Sequence, residues 1–172
     1  LETSRGAPSE FARAAFEPDG TVSLAVGTQS NGQGHETTYP QVAADLLGLP
    51  ITAFRFHQGD TDLLPGGNGH GGARSMHVGG TALVQAVEKM IEKGKLIAAH
   101  LLQAPVDQVS FFDGRFAVQG TARAVAIGDV AGGVWPDQEA GRDVADDHGL
   151  AEARGDGSAE SGGEQRKRQA GE

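Results

Sequence analysis

Two glycine-rich stretches, each running directly into a segment of helical periodicity, constrain this chain more than any other feature. The first is Gly27-Thr28-Gln29-Ser30-Asn31-Gly32-Gln33-Gly34. It leads into residues 36–47, where Val42, Ala43, Leu46 and Leu47 share one side and Gly48 supplies the stop. The second is Pro65-Gly66-Gly67-Asn68-Gly69-His70-Gly71-Gly72-Ala73-Arg74-Ser75. It leads into a long amphipathic segment over residues 77–102. Leu83, Val87, Met90 and Ile91 form the first apolar stripe of that segment, and Ile97, Ala98, Leu101 and Leu102 the second. Gly94, between the stripes, is expected to loosen or interrupt the helix. Glycine makes up 27 of 172 residues, against a usual share of about 7%. A helix N-terminus carries about half a positive charge and several unpaired N–H groups. Glycines ahead of it let the backbone approach an anion without Cβ collisions. Two such loops in series suit a ligand with two anionic or hydrogen-bonding anchor points, such as a phosphorylated cofactor.

The rest of the pattern is that of a mixed α/β (α+β) layer fold. Residues 10–16 and 21–26 flank the turn signal Pro18-Asp19-Gly20 and read as a β-hairpin. Residues 51–57 read as a strand ending at Gly59-Asp60-Thr61-Asp62. Residues 108–112 and 115–118, joined by Asp113-Gly114, predict a second hairpin, and a short helix is expected from near Val125. The expected order is ββ-α-β-α-ββ.

Charge and composition remove several classes of function. The net charge is −9 and the isoelectric point about 5.0, so a face that neutralises a run of phosphates is not expected and nucleic acid is set aside as partner. With no cysteine, disulfide scaffolds, thiolate zinc sites, iron–sulfur ligation and thiol catalysis are excluded for this chain. No stretch approaches the ~18 apolar residues of a membrane span, and no basic-then-apolar signal segment opens it. A cytoplasmic location without membrane contact is expected. The chain opens at Leu1 rather than methionine, which suggests the interior of a longer reading frame. Residues 1–136 read as folded. Over residues 137–172 only Val144 and Leu150 are apolar and larger than alanine, and ten acidic against five basic residues carry −5 of the total charge. That segment is expected to be a disordered acidic tail, or the product of a shifted frame.

Common catalytic and nucleotide motifs fail on inspection. The second loop ends Ala73-Arg74-Ser75, without the lysine of a phosphate-binding Walker loop. After Gly32-Gln33-Gly34, Thr37 stands where a dinucleotide fold needs its last glycine. His35-Glu36 opens a zinc-protease pattern that Tyr39 breaks. His35, His70 and His77 lie in or beside the loops without a carboxylate partner and read as surface residues rather than a metal site. Asp60 and Asp62 read as strand-end Asx-turns, Ser30 and Ser75 lack an activating base, and Trp135 reads as packing.

The run from Gly27 through Gly32-Gln33-Gly34-His35-Glu36-Thr37-Thr38, followed by Ala43-Ala44-Asp45-Leu46-Leu47-Gly48-Leu49-Pro50, resembles a known family. It is that of the molybdenum-cofactor-binding large subunits of xanthine dehydrogenases, aldehyde oxidases and aerobic carbon monoxide dehydrogenases. Gln58-Gly59-Asp60-Thr61-Asp62 and Gly69-His70-Gly71-Gly72-Ala73-Arg74-Ser75-Met76 look like the next landmarks of that family, in order and spacing. The resemblance covers residues 1–136 and not the tail.

The resemblance implies a fragment of a molybdopterin-binding domain, with residues 1–136 as the partial domain. It implies that Gly32, Gln33, Gly34 and His35 hold the cofactor near its metal end, Gln33 reaching toward the molybdenum ligands without ligating the metal. Gly72, Ala73, Arg74 and Ser75 would hold the pyrophosphate and dinucleotide part. His70 stands where the family commonly has threonine and Ala73 where it commonly has serine; backbone N–H donation survives both changes, a hydroxyl contact at 73 does not. Molybdopterin cytosine dinucleotide is the expected form, with iron–sulfur clusters and FAD on partner subunits. The implied reaction is hydroxylation of aldehydes, N-heterocycles or purines, or oxidation of CO, with water as oxygen source. Its catalytic glutamate lies in a downstream Gly-Glu segment that has no counterpart here, so no catalytic residue is assigned to this chain. Loops without that base and without the opposite wall of the pocket should bind cofactor poorly and catalyse nothing alone. Two other readings stand beside this one: a stand-alone, non-catalytic module for a phosphorylated small ligand, and an inert truncated product with exposed apolar surface.

Overall fold

The computed structural model describes residues 9–17 and 19–132, together with a two-residue strand at Ala153–Arg154. The expected tail otherwise lies outside the described residues, as does Trp135. Strand β1 (Ser9–Glu10) leads into β2 (Ala12–Phe16), which pairs antiparallel with β3 (Val22–Val26) from Ala12↔Val26 to Phe16↔Val22. The turn between them is fastened by Asp19, whose carboxylate accepts from the Thr21 hydroxyl at 2.6 Å and its N–H at 3.1 Å. Helix α1 (His35–Leu47) then carries the chain across to β4 (Phe54–Gln58), which lies parallel to β3 in the register Val22↔Phe54 to Val26↔Gln58. A parallel pair cannot be joined by a tight turn, and α1 is the crossover that this geometry needs. β3, in the middle of the sheet, has Val22, Leu24, Ala25 and Val26 all buried.

The strand expected over residues 51–57 begins three residues later. Ile51–Ala53 form a 3₁₀ turn in which the Ala53 N–H donates to the Pro50 carbonyl at 2.8 Å, and the extended pairing with β3 takes over at Phe54. A single π-helical turn at Ser75–Gly79 feeds α2 (Gly80–Leu101). The expected break at Gly94 is absent and α2 runs through it. The glycine serves packing: a Cβ there would lie 2.5 Å from Cζ of Phe116.

Phe116 belongs to the second sheet, in which β5 (Val109–Phe112), β6 (Arg115–Val118) and β7 (Ala124–Ala126) pair antiparallel. The helix expected near Val125 starts at Ile127, as α3 (Ile127–Gly132), because Val125 is held in β7 opposite Phe116. β8 (Ala153–Arg154) pairs antiparallel with β1. The fold is thus the mixed α+β arrangement expected, with β7 and the β1–β8 pair added. One core joins the two larger sheets through α2: Leu24 and Val26, Tyr39 and Leu47, Leu83 and Val87, and Val109, Phe116 and Val118 form one buried cluster. Among the described residues no helix is long and apolar enough to cross a membrane.

Candidate functional site

Both glycine loops leave the carboxyl ends of the parallel pair β3–β4, the edge where α/β sheets commonly place ligands. Gly27 continues β3 and Gly59 continues β4, the Gly59 N–H donating to the Val26 carbonyl at 3.0 Å. The Ser30 N–H donates to Gln58 Oε1 at 2.8 Å, which folds the first loop over β4. The second loop returns to the same edge. Gly67 packs so closely on Gly27 that a Cβ at residue 67 would sit 2.4 Å from the Gly27 carbonyl oxygen. Only glycine fits that contact. A cleft of about 310 Å³ opens there, lined by Gly27, Gln29, Gly59, Asp60, Thr61, Gly66, Gly67 and Gly69. Asp60 Oδ1 accepts the Asp62 N–H at 2.9 Å, the Asx-turn its spacing suggests.

The two loops touch. The Asn31 side-chain amide meets His70 Nε2 at 2.7 Å. Tyr39, one helical turn into α1, donates its hydroxyl proton to the Ser75 carbonyl at 2.6 Å and lies 3.1 Å from the Thr28 hydroxyl. Burial pushes this phenol above its ordinary value of 10, against the opposing hydrogen bond from Thr28. It therefore remains a donor at neutral pH. Through Tyr39 the start of α1 and the π turn before α2 are held as one unit.

At the first loop, Gly32 and Gln33 are exposed and Gly34 takes the left-handed N-cap position of α1 at φ 77°. The Gln33 side chain folds back on its own loop. Its Oε1 accepts from the Asn31 N–H, and its Nε2 donates to the Gln29 carbonyl at 3.2 Å. His35, the first residue of α1, is 1% exposed, yet neither ring nitrogen has a hydrogen-bond partner. Its ring meets Tyr39 edge-on, with centroids 5.0 Å apart. Burial lowers the imidazole below its ordinary 6.5; Glu36 opposes that shift and His70 adds to it. A buried polar ring with both nitrogens unsatisfied is uncommon and asks for a partner.

At the second loop, Gly72 (φ 79°) and Ala73 (φ 55°) are left-handed and exposed, while Arg74 returns to φ −91°. Backbones that change sign between successive residues form anion-binding concavities from their N–H groups. The Arg74 guanidinium points away from that surface. It is 1% exposed, donates to Glu10 at 2.5 Å and to the Gly69 and Ser9 carbonyls at 2.7 and 2.5 Å. Ser75 is half-buried and enters the site through its carbonyl. Among the described residues, no three histidine, aspartate or glutamate side chains stand close enough to hold a metal ion.

The structure thus brings the two loops that carry residues 32–35 and 72–75 into contact, through Asn31 on His70 and Tyr39 on Ser75. Glu10 carried no motif. Its one signal is period: a strand places it in phase with Ala12 on the buried side.

Residues 2–160 match the family model described as a molybdopterin cofactor-binding domain. The chain is 39% identical over 111 residues to the carbon monoxide dehydrogenase large chain of Afipia carboxidovorans, covering 64% of this chain and 14% of that protein. It is 33% identical over 129 residues to the nicotine 6-hydroxylase large subunit of Paenarthrobacter nicotinovorans, covering 74% and 16%. Among solved structures, a Cu,Mo-CO dehydrogenase in its carbon monoxide reduced state superposes with a TM-score of 0.68 at 35% identity, over 72% of this chain and 16% of that one. Quinoline 2-oxidoreductase from Pseudomonas putida 86 gives 0.64 at 32% identity, with the same coverage. The chain spans about one-seventh of the length of these relatives.

Proposed function

Because the chain belongs to the molybdopterin cofactor-binding domain family, we propose that its paired glycine loops form part of the cofactor pocket of a molybdenum hydroxylase. The observation that carries this reading is the meeting of the two loops at the Asn31–His70 contact, beside a buried His35 ring whose nitrogens have no hydrogen-bond partner. The residues present fit such a group. His35 presents ring nitrogens still to be satisfied, and the exposed glycines admit close approach to the N-terminal end of α1, where anionic oxygens are favoured.

In this reading Gly32, Gln33, Gly34 and His35 hold the pterin end, Gln33 nearest the metal ligands. Gly72, Ala73, Arg74 and Ser75 hold the phosphate end, Arg74 by its main chain. A neutral His35 can donate from one nitrogen and accept at the other, which suits a ring edge carrying both donors and acceptors. Tyr39 keeps the two anchor points at a fixed separation by tying α1 to Ser75. When bound, the molybdenum group supplies two-electron oxidation with oxygen taken from water. What these residues do is bind and orient it, and this chain carries no catalytic residue of its own.

The whole enzyme of the proposal oxidises CO, an aldehyde or an N-heterocycle, works with iron–sulfur and flavin subunits in the cytoplasm, and carries the cytosine dinucleotide form. The names of the relatives support the general class. Residues 1–136 are then the part of the pocket wall held here, and the family match runs on to residue 160.

Titration of the 172-residue chain with extracted molybdopterin cofactor, followed by calorimetry, tests the binding. We expect weak, saturable, one-to-one binding that Gly34→Val abolishes, since a branched side chain cannot hold φ 77° at the N-cap. Binding that is absent, or indifferent to Gly34, overturns the reading. Tight binding by the chain alone favours a stand-alone module over a piece of a larger pocket. Sequencing the flanking DNA tests the fragment reading, which fails if no frame encodes a Gly-Glu segment downstream.

A further inference from the structure

We infer that Glu10 is the positioning residue of the second glycine loop: its carboxylate holds the Arg74 guanidinium inside the protein, so that the loop offers an anion its main chain and not a side-chain cation. Glu10 is 0% exposed and Arg74 1%. The pair bridges 64 residues of sequence, from β1 to the end of the loop. Both partners are further satisfied by the loop itself. Glu10 accepts the Asn68 N–H at 3.3 Å on each oxygen and the Phe11 N–H at 3.0 Å. Arg74 donates to the Gly69 carbonyl, and Asn68 Nδ2 reaches the Ser9 carbonyl at 3.0 Å.

These contacts fasten the loop at residues 68, 69 and 74. The span between them, His70 to Ala73, contains the exposed glycines 71 and 72; among the described residues, the loop N–H that Glu10 accepts is that of Asn68. Buried charge pairs seldom add net stability over an apolar filling, and their better-attested use is to specify one arrangement. Here the arrangement specified is the course of the loop. Gly27 is part of the device: a Cβ at that position would fall 2.3 Å from Glu10 Oε1. The inference rests on the cofactor reading only for what the loop holds.

The test compares the full chain with Glu10→Gln and with the double variant Glu10→Met/Arg74→Met, which removes both charges and keeps the volume filled. Amide hydrogen exchange is followed without ligand, over residues 66–75 and over α2. Inorganic pyrophosphate binding is measured by calorimetry alongside. We expect loop amides to exchange at least tenfold faster in Glu10→Gln and in the double variant, with α2 protection unchanged, and pyrophosphate affinity to fall at least tenfold with them. A uniform loss of protection in loop and helix makes the pair a global stabiliser and overturns the inference. So does unchanged exchange in the loop. If Glu10→Gln leaves pyrophosphate affinity unchanged while the double variant loses it, the guanidinium is a direct ligand and the inference again fails. Should the unaltered chain not bind pyrophosphate, the cofactor reading suffers, while the exchange result still decides the role of Glu10.

Discussion

His35 concentrates the chemistry of this molecule in one ring. It opens α1, where a protonated imidazole would face the positive end of the helix, and it is buried without a hydrogen-bonding partner. Both conditions favour the neutral form, in line with the lowered pKa that burial imposes. The consequence for stability has a definite sign. Below pH 6.5 the unfolded chain protonates this residue while the folded one resists, so the unfolded state binds more protons and folding loses ground as pH falls. Above that value the contribution of this residue to pH dependence is nil. Denaturant melts of the unaltered chain and His35→Gln at pH 7.5 and pH 5.5 should therefore differ: the unaltered chain loses more stability on acidification than the variant. Equal losses would mean that the ring is solvated in the folded state. A bound cofactor that accepts a hydrogen bond from His35 should reduce the difference.

At the level of elements, α2 shows how a local rule yields to packing. Glycine inside a helix costs about 1 kcal/mol relative to alanine, so propensity alone makes Gly94→Ala stabilising. The aromatic ring of Phe116 reverses the sign, since the new methyl would meet Cζ at 2.5 Å. We expect Gly94→Ala to destabilise by roughly 1–3 kcal/mol, the usual cost of overfilling a core, and Gly94→Ala/Phe116→Leu to recover part of that loss. Thermal melts of the two variants check it. The same case explains which elements the amino-acid pattern foretold. The hairpin turn at Asp113-Gly114, the Gly48 stop and the apolar stripes of α2 are local signals, and each element stands where those signals place it. The reading of Gly94 as a break and of Val125 as helix failed where the deciding contact was distant, and that of residues 51–53 as strand gave way to a local 3₁₀ turn closed on Pro50. Phe116 decided the course at Gly94 and the β6–β7 pairing that at Val125.

The molecule as a whole has α2 as its common element. It packs on β2, β3 and α1 on one side and on β5 and β6 on the other, and a single buried cluster runs through both. Such a core predicts that the two sheets unfold together. Amide exchange of β3 and β6, followed through a denaturant series, should merge into one transition. Two separated transitions would show the second sheet to be an independently folding unit. Large apolar side chains also face outward, Phe112 at 83% exposed and Leu96 at 55%. Phe112→Ser should change stability by less than about 0.5 kcal/mol, because the ring buries so little.

Sequence by itself determined the alternation of strands and helices, the position of both glycine loops and, through their order and spacing, the family. These depend on neighbours within a few residues, or on a motif that can be read along the line. Only the tertiary structure decided that Arg74 turns inward to Glu10, that the His35 ring is buried without a hydrogen-bond partner, and that Asn31 reaches His70. Each of those facts depends on the environment that distant segments create around a side chain. A charge in a glycine loop reads as a ligand for an anion until a buried carboxylate 64 residues earlier takes it.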